Sequence, residues 1–185
     1  MGDDLVFEIK FRITDELGII GDWDADTFDR EGDLEGFFAI NFNGHLYGYH
    51  HENELQEGEV GFELLTHWFE MLIKVFINLN NSKYVALSDI ESYNTWLEFK
   101  LEDGELLVSV IENENKAGLG AIITSPFETY TYSDWKNVQV SKAEFKNELV
   151  IKANEYINSV GNINQNLLHS KRMQQLILLL DQINN

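Results

Sequence analysis

The sequence predicts an α+β fold in which a largely antiparallel β-sheet packs on a buried central helix and two antiparallel helices close the chain. Three observations carry that expectation. Residues 62–79, FELLTHWFEMLIKVFINL, hold a helix-length apolar pattern without Gly or Pro. Alternating segments flank the dipeptides Asn43-Gly44 and Asp103-Gly104, the favoured residues of two-residue hairpin turns. Residues 141–183 then return to helical spacing.

In the central helix Phe62, Leu65, Trp68, Phe69, Leu72, Val75, Phe76 and Leu79 recur at threes and fours, and Leu64, Met71, Ile73 and Ile77 widen that face. Glu63, His67, Glu70, Lys74 and Asn78 align as one narrow polar strip. Burying each large apolar side chain contributes roughly 1.5 to 3 kcal/mol, so this helix is expected at the centre of the core.

Taken in order, Leu5 to Ile13 alternates, with Leu5, Phe7, Ile9, Phe11 and Ile13 on one face and Glu8, Lys10 and Arg12 on the other, as in a half-buried strand. Residues 15–35 hold nine acids against Arg30 alone and read as a long irregular loop. The hairpin around Asn43-Gly44 is expected to set Phe42 opposite His45, Ile40 opposite Tyr47 and Phe38 opposite Tyr49. A second acidic connection, 52–59, leads into the helix, and Tyr84 to Leu87 is a short strand. The hairpin around Asp103-Gly104 opposes Leu101 to Leu106, Phe99 to Val108 and Leu97 to Val110. Its other face, with Glu98 against Ser109 and Lys100 against Leu107, reads as wet.

Residues 119–124 and 127–132 read as strands broken at Pro126. Ser141 and Glu144 have capping-box spacing before a helix whose inner stripe is Phe145, Leu149, Ala153, Tyr156, Ile157 and Val160, with Gly161 as its stop. A last helix, about 164–183, carries Leu168, Met173, Leu176, Ile177, Leu180 and Ile183, and the short connection makes the two antiparallel neighbours.

At 185 residues, 44% apolar and 12% aromatic, the chain reads as one domain, 1–185, with a substantial core. The absence of cysteine removes disulfides, thiolate metal sites and cysteine nucleophiles. The opening MGDDLVFEIKF lacks the basic start and apolar core of a secretory signal, and no run reaches membrane-spanning length, so a soluble cytoplasmic protein is expected. Charge is the most unusual property: 13 Lys and Arg against 32 Asp and Glu give a net of -19. Residues 1–140 carry a net of -20 and residues 141–185 a net of +1. Such a field serves solubility, repels nucleic acid and anionic membrane, and favours basic partners.

No catalytic motif is present: there is no G-x-S-x-G, no glycine-rich phosphate loop and no H-E-x-x-H, so the protein is read as a non-enzyme without cofactor or metal. A calcium loop begun at Asp22 would need Gly at its sixth position and Glu at its twelfth, where the chain has Thr27 and Asp33. His45, His50 and His51 alternate across a strand and do not converge. Glu63, His67 and Glu70 share the polar helical strip and read as a partly solvated face.

Small size, absence of cysteine, strong acidity and α+β organisation together resemble, over the whole chain, the cytoplasmic immunity proteins of bacterial toxin systems, those of contact-dependent inhibition and polymorphic toxins. The resemblance implies a role, the neutralisation of one cognate toxin, often a basic nuclease. On the residues themselves, the contact with a basic protein partner is expected at Asp22, Asp24, Asp26, Asp29, Glu31, Asp33 and Glu35, with Trp23 as aromatic anchor. The alternative is a housekeeping or small-ligand-binding domain without catalytic activity.

Overall fold

A computed structural model describes residues 6–90, 92–113 and 119–184. Leu5, expected at the start of the first strand, lies outside the described residues. The protein is α+β, with antiparallel sheets and, among the described residues, five α-helices, two of them C-terminal. Its contacts divide it into two compact units. One comprises Met1–Phe7, Asn41–His45 and Lys74–Lys146, and the other Glu8–Ile40, Leu46–Ile73 and Asn147–Asn185.

The first sheet has the order β1 (Phe7–Ile13), β2 (Glu35–Phe42), β3 (His45–Tyr49), with β4 (Glu63–Leu64) also on β2. Asn43 N–H donates to the Val6 carbonyl at 2.6 Å and Thr14 N–H to that of Glu35 at 3.1 Å. In an antiparallel ladder that parity turns the backbone groups of even-numbered β1 residues toward β2 and those of odd-numbered residues outward. Asn43 (φ 49°) and Gly44 (φ 88°) form the expected tight turn between β2 and β3.

Two short helices, α1 (Leu17–Ile20) and α2 (Ala25–Glu31), occupy the segment read as an irregular loop. Asp24 is the reason for the second: its carboxylate accepts the Thr27 N–H at 2.7 Å as an N-cap, a local bond that a count of acids does not reveal.

The central helix, α3 (Leu65–Leu79), starts three residues later than expected, because Glu63 and Leu64 pair with Gly36 and Glu35 as strand. Phe62, assigned to the buried face, is 67% exposed. Trp68, Leu72 and Phe76 are buried as expected. In the second unit Phe69 stacks on Tyr156 at 5.1 Å between ring centroids, and Phe11 meets both rings edge-on. In the first unit Phe145 contacts Phe7, Phe76 and Phe99.

The second sheet runs β10-β7-β6-β5-β8, with β9 also on β7. Its strands are β5 (Tyr84–Ser88), β6 (Thr95–Glu102), β7 (Glu105–Glu112), β8 (Ile122–Ile123), β9 (Thr131–Tyr132) and β10 (Val138–Ser141). The β6-β7 register is the expected one: Leu97 faces Val110, Phe99 faces Val108 and Leu101 faces Leu106. The face read as wet is covered, however. Trp96 and Ile111 pair across it and pack with Tyr84 and Ala86 beneath Ile123, Phe127 and Tyr130. The segment 119–132 supplies that cover chiefly as loop, with two-residue strands where longer ones were expected. Pro126 lies between them and has no N–H for a ladder.

Strand β10 went unrecognised because its VQVS pattern is only four residues long and runs directly into α4 (Lys142–Ile163). Half of the capping box forms: Glu144 N–H donates to Ser141 Oγ at 3.4 Å. Gly161 lies inside α4 rather than ending it. A Cβ there would come within 3.1 Å of Leu168 Cδ1, so this glycine allows close approach of the following 3-10 turn, Gln165–His169. Helix α5 (Lys171–Asn184) buries Met173, Leu176, Leu179, Leu180 and Ile183.

Candidate interaction surface

The acidic segment is a pinned corner. Asn164 Nδ2 donates to the carbonyls of Gly21 at 3.0 Å and Trp23 at 2.7 Å, fixing the turn between α1 and α2. Trp23 is half-buried and its ring lies 6.3 Å from that of the buried Phe28. Asp15 accepts the Glu35 N–H at 2.6 Å, and burial raises its carboxyl above the usual carboxylate range in spite of that bond.

The eight nominated residues separate into two groups. Asp33 is interior: it accepts N–H bonds from Leu34, Thr66 and His67 at 2.8 to 2.9 Å, with Arg172 Nη1 at 3.4 Å. It therefore caps the start of α3 and belongs to the fold. Asp29 accepts from the first N–H groups of α5, those of Lys171 and Arg172, at 2.9 and 3.1 Å. Asp22, Asp24, Asp26, Glu31 and Glu35 are exposed. Of these, Asp24 serves α2, and the hydrogen bonds from Thr27 hold its carboxyl below the ordinary range, while Glu31 pairs with Arg30 at 3.1 Å. In the same segment Leu17 and Ile19 of α1 are 54% and 55% exposed, an apolar element that the acidic composition of the segment masked.

A concave feature lies within the same unit, along β1. It has a volume of about 290 Å³ and is lined by Ile9 and Phe11 of β1, by the chain after β3, and by α4. Its walls carry ion pairs: Lys10 with Glu8 at 3.6 Å and Lys152 with Glu155 at 2.8 Å. His50, also on the wall, lies 3.7 Å from Glu52, and burial lowers its pKa below the usual histidine value. None of these residues was singled out as a site beforehand, apart from His50. The i, i+4, i+7 spacing of Glu148, Lys152 and Glu155 was the available signal.

The covered face of the second sheet holds a polar cluster. Glu98 is fully enclosed, with Lys100 Nζ 2.8 Å from its Oε2 and 3.2 Å from Tyr132 Oη. Burial, followed by the Glu98 charge, pushes the Tyr84 phenol above its ordinary value. Burial opposes charge on Lys100, but the bonds to Glu98 and Tyr132 outweigh it and hold the ammonium above the usual lysine range.

The three hairpin histidines do not share a centre: His45 lies against Trp135, His50 lines the β1 cleft, and His51 Nε2 is 2.8 Å from Glu59 Oε1. Among the described residues no group of three His, Asp or Glu side chains is placed to hold a metal ion. No described helix is long and apolar enough to cross a membrane. Compared with known proteins, the chain matches no family model, no curated protein and no solved structure.

Proposed function

We propose that this is an immunity-type binding protein that neutralises a basic, nuclease-like toxin through its acidic corner. One observation carries the reading: Asp22, Asp26, Glu31 and Glu35 stand exposed on the same anchored segment as the exposed Leu17 and Ile19. An apolar centre with a charged rim is the common composition of a protein interface, and the rim charges steer a basic partner to it. The bonds from Asn164 hold the segment in one conformation before contact, which lowers the ordering cost of binding.

The test pairs Asp22→Asn, Asp26→Asn and Glu35→Gln in one variant. Asp29 and Asp33 are left intact because they support the fold. The wild-type protein should capture a basic protein from its source cells. With that partner purified, the variant should associate roughly tenfold more slowly at low ionic strength, with a flatter salt dependence. Leu17→Ala with Ile19→Ala should instead speed dissociation. Recovery of no basic protein, or equal association by both proteins, rejects this reading.

A further inference from the structure

Among the described residues, the outer edge of β1 is a backbone surface with no strand beside it. β1 ends the path β1-β2-β3, and the parity of its bonds to β2 turns the N–H and C=O groups of Ile9, Phe11 and Ile13 outward. Ile9 N–H confirms that direction by donating to a side chain, Glu148 Oε1 of α4, at 3.0 Å. A carboxylate thus occupies the place where a neighbouring strand would offer a carbonyl. Past that bond the edge opens into the 290 Å³ cleft, which Ile9 and Phe11 line.

We propose that this edge receives an extended segment of a partner chain bearing basic side chains, added to the sheet as a strand beside Ile9 and Phe11. Backbone bonding would supply the affinity common to strand addition, and the cleft walls the selectivity. The stretch from Ile9 to Phe11 covers roughly 7 Å, so the cleft itself addresses about two residues of the incoming strand.

The charge of the walls selects the occupant. Glu8, Glu52 and Glu155 line the cleft against Lys10 and Lys152, and both lysines are already paired with one of those acids. Glu148 adds a further carboxylate beside Lys152. A lysine or arginine on the incoming strand finds acids on either wall, and an acidic strand is repelled. A second copy of this chain is a poor occupant, since it brings a net charge of -19 to the same edge. None of the residues of the acidic corner takes part, so this site stands or falls separately from the function proposed above.

The probe is a blocked hexapeptide of alternating lysine and valine, titrated into the whole protein while amide exchange and chemical shifts are followed by NMR. The expected result is slower exchange at the Phe11 amide by about tenfold at saturation, with shifts centred on residues 9 to 13. Two further peptides carry N-methyl groups on alternate residues, one in each register. A strand directs only alternate N–H groups to its neighbour, so one should lose affinity by about tenfold or more and the other retain it. A glutamate-valine peptide should not bind, and Glu8→Gln with Glu155→Gln should weaken the lysine peptide about tenfold while urea unfolding stays near wild type. No protection at Phe11 with millimolar peptide, equal behaviour of the two N-methylated peptides, or equal binding of the acidic peptide overturns the proposal.

Discussion

Lys100 Nζ stands 2.8 Å from Glu98 Oε2, with the glutamate side chain wholly enclosed and the lysine side chain 24% exposed. An enclosed carboxylate depends on its counter-charge far more than a surface one does. Lys100→Met should therefore cost about 3 kcal/mol in urea unfolding, because it strands Glu98 among Tyr84, Tyr130 and Trp96. Glu98→Leu with Lys100→Leu should remain within about 1 kcal/mol of wild type, since an apolar pair of similar volume removes both desolvation penalties. A double variant as damaged as the single one would show that the pair has a stabilising role beyond mutual neutralisation.

Asp33 and Asp26 lie on one acidic segment and should respond very differently to neutralisation. Asp33→Asn should destabilise the protein by about 2 kcal/mol, as it weakens charge-assisted bonds to the N–H groups that open α3. Asp26→Asn, at an exposed site, should stay within about 0.5 kcal/mol. Chemical denaturation of the two variants side by side checks the division of the segment into structural and surface acids.

Phe76, buried and stacked on Phe145, should cost about 3 to 5 kcal/mol when replaced by Ala, as a large cavity opens between α3 and α4 within the first unit. A loss under about 1 kcal/mol would remove α3 from the centre of the core.

His50 has a folded-state pKa below its ordinary 6.5, first through burial, with Lys10, His51 and Arg12 also opposing its charge and Glu52 favouring it. Between the folded value and 6.5 the unfolded chain binds more protons than the native one, so this contribution is complete above pH 6.5 and is lost as pH falls through that window. His50→Gln should flatten the stability profile just below pH 6.5. Measured by urea unfolding across that range, an unchanged slope would show that His50 is not the group responsible.

Periodicity made α3, α4, α5 and both hairpins legible, because residues 65–79 and 95–112 each bury one continuous apolar face through local spacing. It failed where a distant side chain decides the outcome. Asp33, from before β2, fixes where α3 begins, and nothing within 62–65 carries that information. The outer face of β6 and β7 looked wet because its cover comes from Phe127 and Tyr130, in a segment with almost no strand of its own. For the acidic corner, composition located the segment, but it did not separate Asp29 and Asp33 from the exposed acids. Hydrogen bonds from residues about 30 to 140 positions away made that separation.

The stacking of Tyr156 on Phe69 also fixes an order of events during synthesis. Phe11 and Phe69 leave the ribosome long before Asn147–Asn185, yet their unit draws its remaining walls from that last stretch. Until α4 is translated through Tyr156, the nascent chain holds an aromatic face without its cover. A premature stop before residue 147 removes Tyr156 from these rings, and the truncated product is expected to become a substrate for chaperones and proteases rather than a smaller working protein.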